Sequence, residues 1–211
     1  MIANTILDFS ESTWGEDRLC VLDQFCCVID GATPLKQEEF AGYHSSAEWM
    51  ADQLSLYIPK SIADSVSYPL ICKNFIQAKK NICCTFPDTY QLPSLTTAAI
   101  QQHENLIKCW VLGDCSVYLL MKDGHVRHIT DKRVSRFSKK SQQAKIQAIR
   151  RGEDPAAAVL TQRIQNKSKM NQPGGYWVVG FIGNFADEFL EYCIEAEKVQ
   201  AILLCTDGLD R

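Results

Sequence analysis

The chain has 211 residues, of which 46% are hydrophobic, and 22 Lys/Arg stand against 25 Asp/Glu for a formal net charge of -3. That length supports one domain, taken as residues 1–211, with a sizeable core, and no linker-like stretch divides it. The acid balance argues against a general nucleic-acid or membrane binder, and without a signal peptide at Met1-Ile2-Ala3-Asn4-Thr5 or a long apolar span the chain reads as cytoplasmic.

Residues 4–9 and 19–29 read as strands separated by a polar turn from Ser10 to Arg18, the second nearly continuous in apolar residues and so covered on its faces. From Glu38 to Ile58, apolar residues recur at spacings of three and four, including Phe40, Tyr43, Ala47, Met50, Leu54 and Ile58; this predicts an amphipathic helix stopped by Pro59. A weaker helix follows over roughly 61–80, interrupted by Pro69. The period then changes, and 95–101, 106–112, 117–121 and 126–129 read as short strands forming an antiparallel meander, turned at Gly113-Asp114 and Asp123-Gly124. Ser138–Arg151 reads as a polar helix, and Asp154-Pro155 opens another as N-cap and first helical residue. Short β-like segments close the chain at 176–179, 192–196 and 201–206. Strands, then helices, then strands predict an α+β fold of antiparallel sheets covered by helices.

Ten cysteines occur without a Cys-x-x-Cys pair, and Cys26, Cys27, Cys109, Cys193 and Cys205 lie inside apolar runs, where free Cys packs as a small hydrophobe. His125 and His128 read as surface residues. Between Lys122 and Lys169 thirteen Lys/Arg face four Asp/Glu. Phe137 is the only aromatic there, which fits a solvated helical face better than base stacking and leaves a phosphate-bearing partner as the minority reading.

Two Asp-Gly pairs, Asp30-Gly31 and Asp207-Gly208, each close an apolar run. Ionised carboxylates at the ends of buried strands are costly unless paired or bound to a cation, so with Glu16-Asp17 they suggest a carboxylate-lined metal site. Each Asp-Gly alone reads more readily as a strand-end turn, and only jointly, with Glu16-Asp17, do they favour metal binding; Asp123-Gly124 reads only as a hairpin. Asp114 reads as a structural turn residue.

In order, Trp14-Gly15-Glu16-Asp17-Arg18, Val28-Ile29-Asp30-Gly31-Ala32-Thr33, Leu95-Thr96-Thr97-Ala98-Ala99, the segment Val111 to Leu119 around Gly113-Asp114, Ile129-Thr130-Asp131 and the segment Leu203 to Leu209 resemble the metal-dependent protein phosphatase 2C family. The resemblance covers nearly the whole chain and implies a sandwich of two antiparallel β-sheets flanked by helices, with two divalent cations, manganese or magnesium, at one end. It further implies that Asp30 bridges both metals, that the Gly31 carbonyl ligates one and Asp207 the other, and that Glu16 and Asp17 hold waters of the centre. Asp30 and Asp17 are then the catalytic residues, and a metal-activated water hydrolyses phosphoserine or phosphothreonine on protein substrates.

Three departures from the family pattern bear on function. Ser12 stands where active members carry a phosphate-gripping Arg, a position that Arg18 or the basic stretch would have to supply. Ala32 replaces a His that protonates the leaving group in many eukaryotic members, so the Asp-Gly-Ala-Thr segment resembles a divergent, largely bacterial branch. The sequence ends three residues after Gly208, ahead of a family Asp-Asn segment and its strand, which predicts an incomplete C-terminal end. These departures keep open a catalytically inactive relative with a phosphoprotein-binding or regulatory role, and a hydrolase of small phosphorylated metabolites.

Overall fold

Asp23 and Gln24 are the polar pair that decides the first fold feature. The computed structural model describes residues 15–32, 35, 39–62 and 66–209. Within them, the expected single strand over 19–29 is two strands, β1 (Arg18–Leu22) and β2 (Phe25–Gly31), paired antiparallel with Leu22 opposite Phe25 around those two polar residues. The strand expected over 4–9, and Ser12, Trp14 and Thr33, lie outside the described residues.

The helix expected from Glu38 starts later, as α1 (Ser46–Ser61). Ser45 sets this start by accepting a hydrogen bond from the Glu48 amide at 3.0 Å, while the Glu48 carboxylate accepts from the His44 amide at 2.9 Å. Phe40 and Tyr43 belong to a tight turn ahead of it, bridged to one another, although both still pack against the core. Pro59 does not stop α1: it lies in the last turn, where losing one amide costs a single rung, and the Ile62 amide closes the helix on the Ile58 carbonyl at 2.9 Å. Pro69 does not interrupt α2 (Tyr68–Lys79) either, because it occupies the first turn, where its amide would have no helical acceptor.

β3 (Ser94–His103) and β4 (Leu106–Leu112) pair as expected. The meander then breaks. β5 (Ser116–Met121) does not pair with β4; it pairs with β6 (Val126–Thr130) in a second sheet, so the Gly113-Asp114 turn carries the chain from one sheet to the other. Gly113 has φ +83°, and a Cβ there would stand 2.3 Å from Thr96 Cγ2, so only glycine makes this crossing. The Asp123-Gly124 hairpin forms, the His125 amide donating to Asp123 Oδ1 at 3.0 Å.

Next come α3 (Ser135–Arg151) and α4 (Pro155–Lys167), joined through Gly152 in the left-handed conformation and Asp154, whose carboxylate accepts from the Ala156 amide at 2.8 Å. β7 (Val179–Gly180) is shorter than the expected 176–179 segment and pairs with β3. β8 (Leu190–Glu195) and β9 (Val199–Cys205) complete the order β1-β2-β3-β4-β8 in the large sheet and β6-β5-β9 in the small one.

The large sheet is buried on both faces, and alternation along its strands divides the core in two. Cys27, Ile29, Leu95, Ala99, Trp110 and Leu112 pack against Met50, Leu54, Ile58, Ile71 and Phe75 of α1 and α2. Val28, Ala98, Ile100, Cys109 and Val111 pack against Val117 and Leu119 of the small sheet. Each fully buried aliphatic or aromatic side chain contributes ~1.5–3 kcal/mol, which is what holds the two sheets and the two helices as layers. All ten cysteines are free. Cys193 is exposed, contrary to its expected place in the core, because Tyr192 and Ile194 turn the alternate side of β8 inward.

Candidate metal centre and cleft

The antiparallel register places Arg18 opposite Ile29, so Asp17, one residue earlier, stands across from Asp30 at the ends of β1 and β2. Asp114 follows the crossing turn from β4, and Asp207 follows β9 of the other sheet. Thr206 ties these elements together by donating to Asp17 Oδ2 at 3.0 Å. Burial first, then the Asp17, Asp207 and Asp114 carboxylates, push the Asp30 carboxyl up to about 8. Four carboxylates from both sheets therefore converge at one end of the sandwich.

Gly31 brings its backbone against the Glu16 segment, its amide donating to the Glu16 carbonyl at 3.2 Å. A Cβ on Gly31 would come within 2.8 Å of Glu16 Cβ and 3.0 Å of that carbonyl. Glu16 turns its carboxylate to the Ser45 hydroxyl, which donates to Oε1 at 2.5 Å. Sequence-derived candidates Asp30, Gly31 and Asp207 line one cleft, whereas Glu16 and Asp17 are outside its lining and adjoin it through the Gly31 amide and Thr206. Arg18 does not join them. Its Nε donates to Asp52 Oδ1 at 3.2 Å, its Nη1 to the Gly15 and Asp17 carbonyls at 2.7 and 2.8 Å, and its Nη2 lies 3.6 Å from Glu48 Oε1. It is a brace between α1 and the acidic turn.

Among the described residues, no group of three or more His, Cys, Asp or Glu side chains is arranged to hold a metal ion. The donor set nonetheless fits hard divalent cations: carboxylates and a backbone carbonyl, with one carboxyl driven toward its neutral form by burial and by like-charged neighbours that a cation would offset.

The cleft measures ≈ 1180 Å³. Its floor carries Asp30, Asp114 and Asp207, and its wall is built by α3 and α4. Three wall cations, Lys145, Arg163 and Lys167, were not resolved individually within the basic stretch by sequence reasoning; the signal was their spacing. Ser138, Ser141, Gln142 and Lys145 share one face of α3, and Arg163, Asn166 and Lys167 one face of α4. Burial lowers the Lys167 ammonium to about 8, opposed by attraction to Glu16. Asp114, expected as a structural turn residue, lines the floor; burial first, then the Asp114 carboxylate, raise the Tyr176 phenol to about 12. Its signal was a third Asp at the end of an apolar strand.

This sandwich, with α1 and α2 on the large sheet, is the fold of bacterial serine/threonine phosphatases of the protein phosphatase 2C type, as the sequence resemblance implied. Stp1 from Staphylococcus aureus superposes with TM-score 0.58 at 14% identity, over 99% of this chain and 79% of that one. PppA, a key regulatory component of T6SS in Pseudomonas aeruginosa, gives TM-score 0.55 at 14% identity, over 94% and 72%. The Mycobacterium tuberculosis phosphatase PstP gives 0.51 at 16% identity, over 94% and 74%, and its catalytic domain has also been seen in complex with 2 manganese ions. Neither a protein-family model nor a curated protein sequence matches the chain.

Proposed function

We propose that the chain is a metal-dependent phosphatase acting on phosphoserine or phosphothreonine in proteins. The observation that carries this reading is the convergence of Asp17, Asp30, Asp114 and Asp207 from two sheets beneath a cleft walled by cations. Asp30, the Gly31 carbonyl and Asp207 would hold two manganese or magnesium ions. When bound, such ions supply Lewis-acid activation of water and offset charge on the phosphoryl oxygens. Asp17, fixed by Thr206, and Glu16, fixed by Ser45, present oriented acceptors that align water for in-line attack. Ala32 offers no proton donor after Asp30-Gly31, so the leaving alkoxide takes its proton from solvent.

Hydrolysis of an aryl phosphate, with manganese and with chelator, tests this reading against the Asp30→Asn chain. Chelator-sensitive turnover that the substitution abolishes is expected; equal turnover by the Asp30→Asn chain would overturn the assignment. The engagement of Arg18 with Asp52 and Glu48 favours a second reading, a phosphoprotein-binding relative without turnover. Phosphopeptide binding by a folded chain that shows no hydrolysis under any metal would select it.

A further inference from the structure

The α3–α4 pair carries a strongly one-sided charge. From Lys132 to Gly152 there are eight Lys/Arg and no Asp/Glu. Apart from their mutual contact, the two helices stand beside the sandwich rather than under a further layer, and they face the carboxylate floor across the cleft. Lys145 and Arg163 are exposed, line the cleft, and among the described residues have no carboxylate partner. Lys167, one turn from Arg163 on α4, sits deeper, its Nζ donating to the Leu92 carbonyl at 3.4 Å. The single carboxylate on this wall, Asp154, is turned to the Ala156 amide as a helix cap. Three cations thus stand at graded depth beside an acidic floor.

Elementary electrostatics gives that gradient a meaning. The floor attracts cations and repels an incoming phosphate dianion, so a substrate needs positive charge on its way in, and more positive charge beside the chain on either side of the phosphate. We propose that α3 and α4 select the substrate: Lys167 contacts the phosphate, while Lys145 and Arg163 bind acidic residues that flank the phosphorylated residue. The preferred substrate class is therefore phosphorylated segments rich in Asp and Glu. This rests on the phosphatase reading for the identity of the phosphorylated ligand, but not on turnover.

The test is equilibrium binding, by fluorescence anisotropy with magnesium present, of two peptides carrying a non-hydrolysable phosphonate in place of phosphoserine, one flanked by Asp/Glu and the other by Lys. The acidic peptide is expected to bind about tenfold more tightly, because Lys145 and Arg163 pair with its flanks and are set against those of the Lys peptide, and the preference should shrink as salt rises. In the Lys145→Glu/Arg163→Glu chain the preference should vanish or invert, whereas Lys80→Glu, just after α2 and outside the cleft lining, should keep it. Equal binding of the two peptides, a preference for the Lys-flanked one, binding of neither, or a selectivity unmoved by the double substitution would overturn the proposal. Aryl phosphate turnover by the same preparation reports separately on the phosphatase reading, since that substrate has no flanks.

Discussion

At the scale of single residues, the end of the sandwich is organised by what each charged side chain already touches. Arg18 spends its guanidinium on Asp52, Glu48 and two carbonyls of the acidic turn, so its role is to hold Glu16 and Asp17 in place. Arg18→Ala is expected to cost ~1–2 kcal/mol of stability and to weaken manganese activation, leaving KM for an aryl phosphate within about twofold. A tenfold rise in KM with unchanged metal response, measured by steady-state kinetics, would show instead that Arg18 reaches substrate. Lys167 is the opposite case, a cation attracted by Glu16 and lining the same cleft as Asp114 and Asp207, and discharged more easily than an exposed lysine because it is buried. Its folded pKa of about 8 lies below that of a free lysine, so the charge is present below pH 8 and is lost as pH rises through that value. Phosphonate-peptide affinity should fall more steeply over that window in the wild-type chain than in Lys167→Arg, whose guanidinium does not titrate there, since the Asp30 carboxyl gains charge over the same window in both. Asp30 and Asp207 were legible in the sequence because an Asp-Gly at the end of an apolar run is costly without a purpose. Lys167 was not, because a lysine in a basic helix looks the same whether it faces water or a cleft.

The elements were legible where periodicity alone decides them and illegible where a capping side chain or a crossing does. Proline shows the difference: Pro59 and Pro69 both looked like breaks, yet one falls in a last turn and the other in a first, positions that depend on where Ser45 and Ser67 start their helices. The break in the meander was equally hidden, since a Gly-Asp turn reads alike whether it reverses a strand or passes it to another sheet. What secures that crossing is a clasp of charged groups. Arg133 Nε donates to both oxygens of Asp131 at 2.9 and 3.0 Å, and its two other nitrogens donate to the Glu188 carboxylate and carbonyl at 2.6 Å each. Asp131 is only 2% exposed and also accepts from the Gly113 amide at 3.4 Å, so the clasp joins the end of β6, the crossing turn and the segment before β8. Arg133→Ala leaves a buried carboxylate without its counter-ion and should destabilise the fold by about 3 kcal/mol, read as a lower denaturant midpoint. Arg133→Lys should recover only part, because an ammonium cannot span both acids.

Across the whole molecule, the candidate metal centre is where the two sheets meet, and that makes metal binding a matter of global stability. Asp17 and Asp30 belong to the large sheet, Asp207 to the small one, and Asp114 to the turn between them. Without a cation, burial first and then repulsion from the Asp17, Asp207 and Asp114 carboxylates drive Asp30 up to about 8. A cation bound among them would replace that repulsion with a bridge between sheets, and only the folded chain would bind it, because the unfolded chain separates residues 17 and 207. At metal concentrations about a hundredfold above the dissociation constant, such linkage adds ~2.7 kcal/mol. For a domain of this size that corresponds to a rise in Tm of roughly 5–10 °C. Thermal unfolding with chelator and with manganese should therefore separate by that interval in the wild-type chain. Asp30→Asn removes one of the crowded charges while keeping the side chain's shape, so it should unfold at a higher temperature than the wild type in chelator and gain little from manganese. If the two chains responded to manganese alike, the ion would lie away from Asp30, and the convergence of the four carboxylates would be a feature of the fold and not of its chemistry.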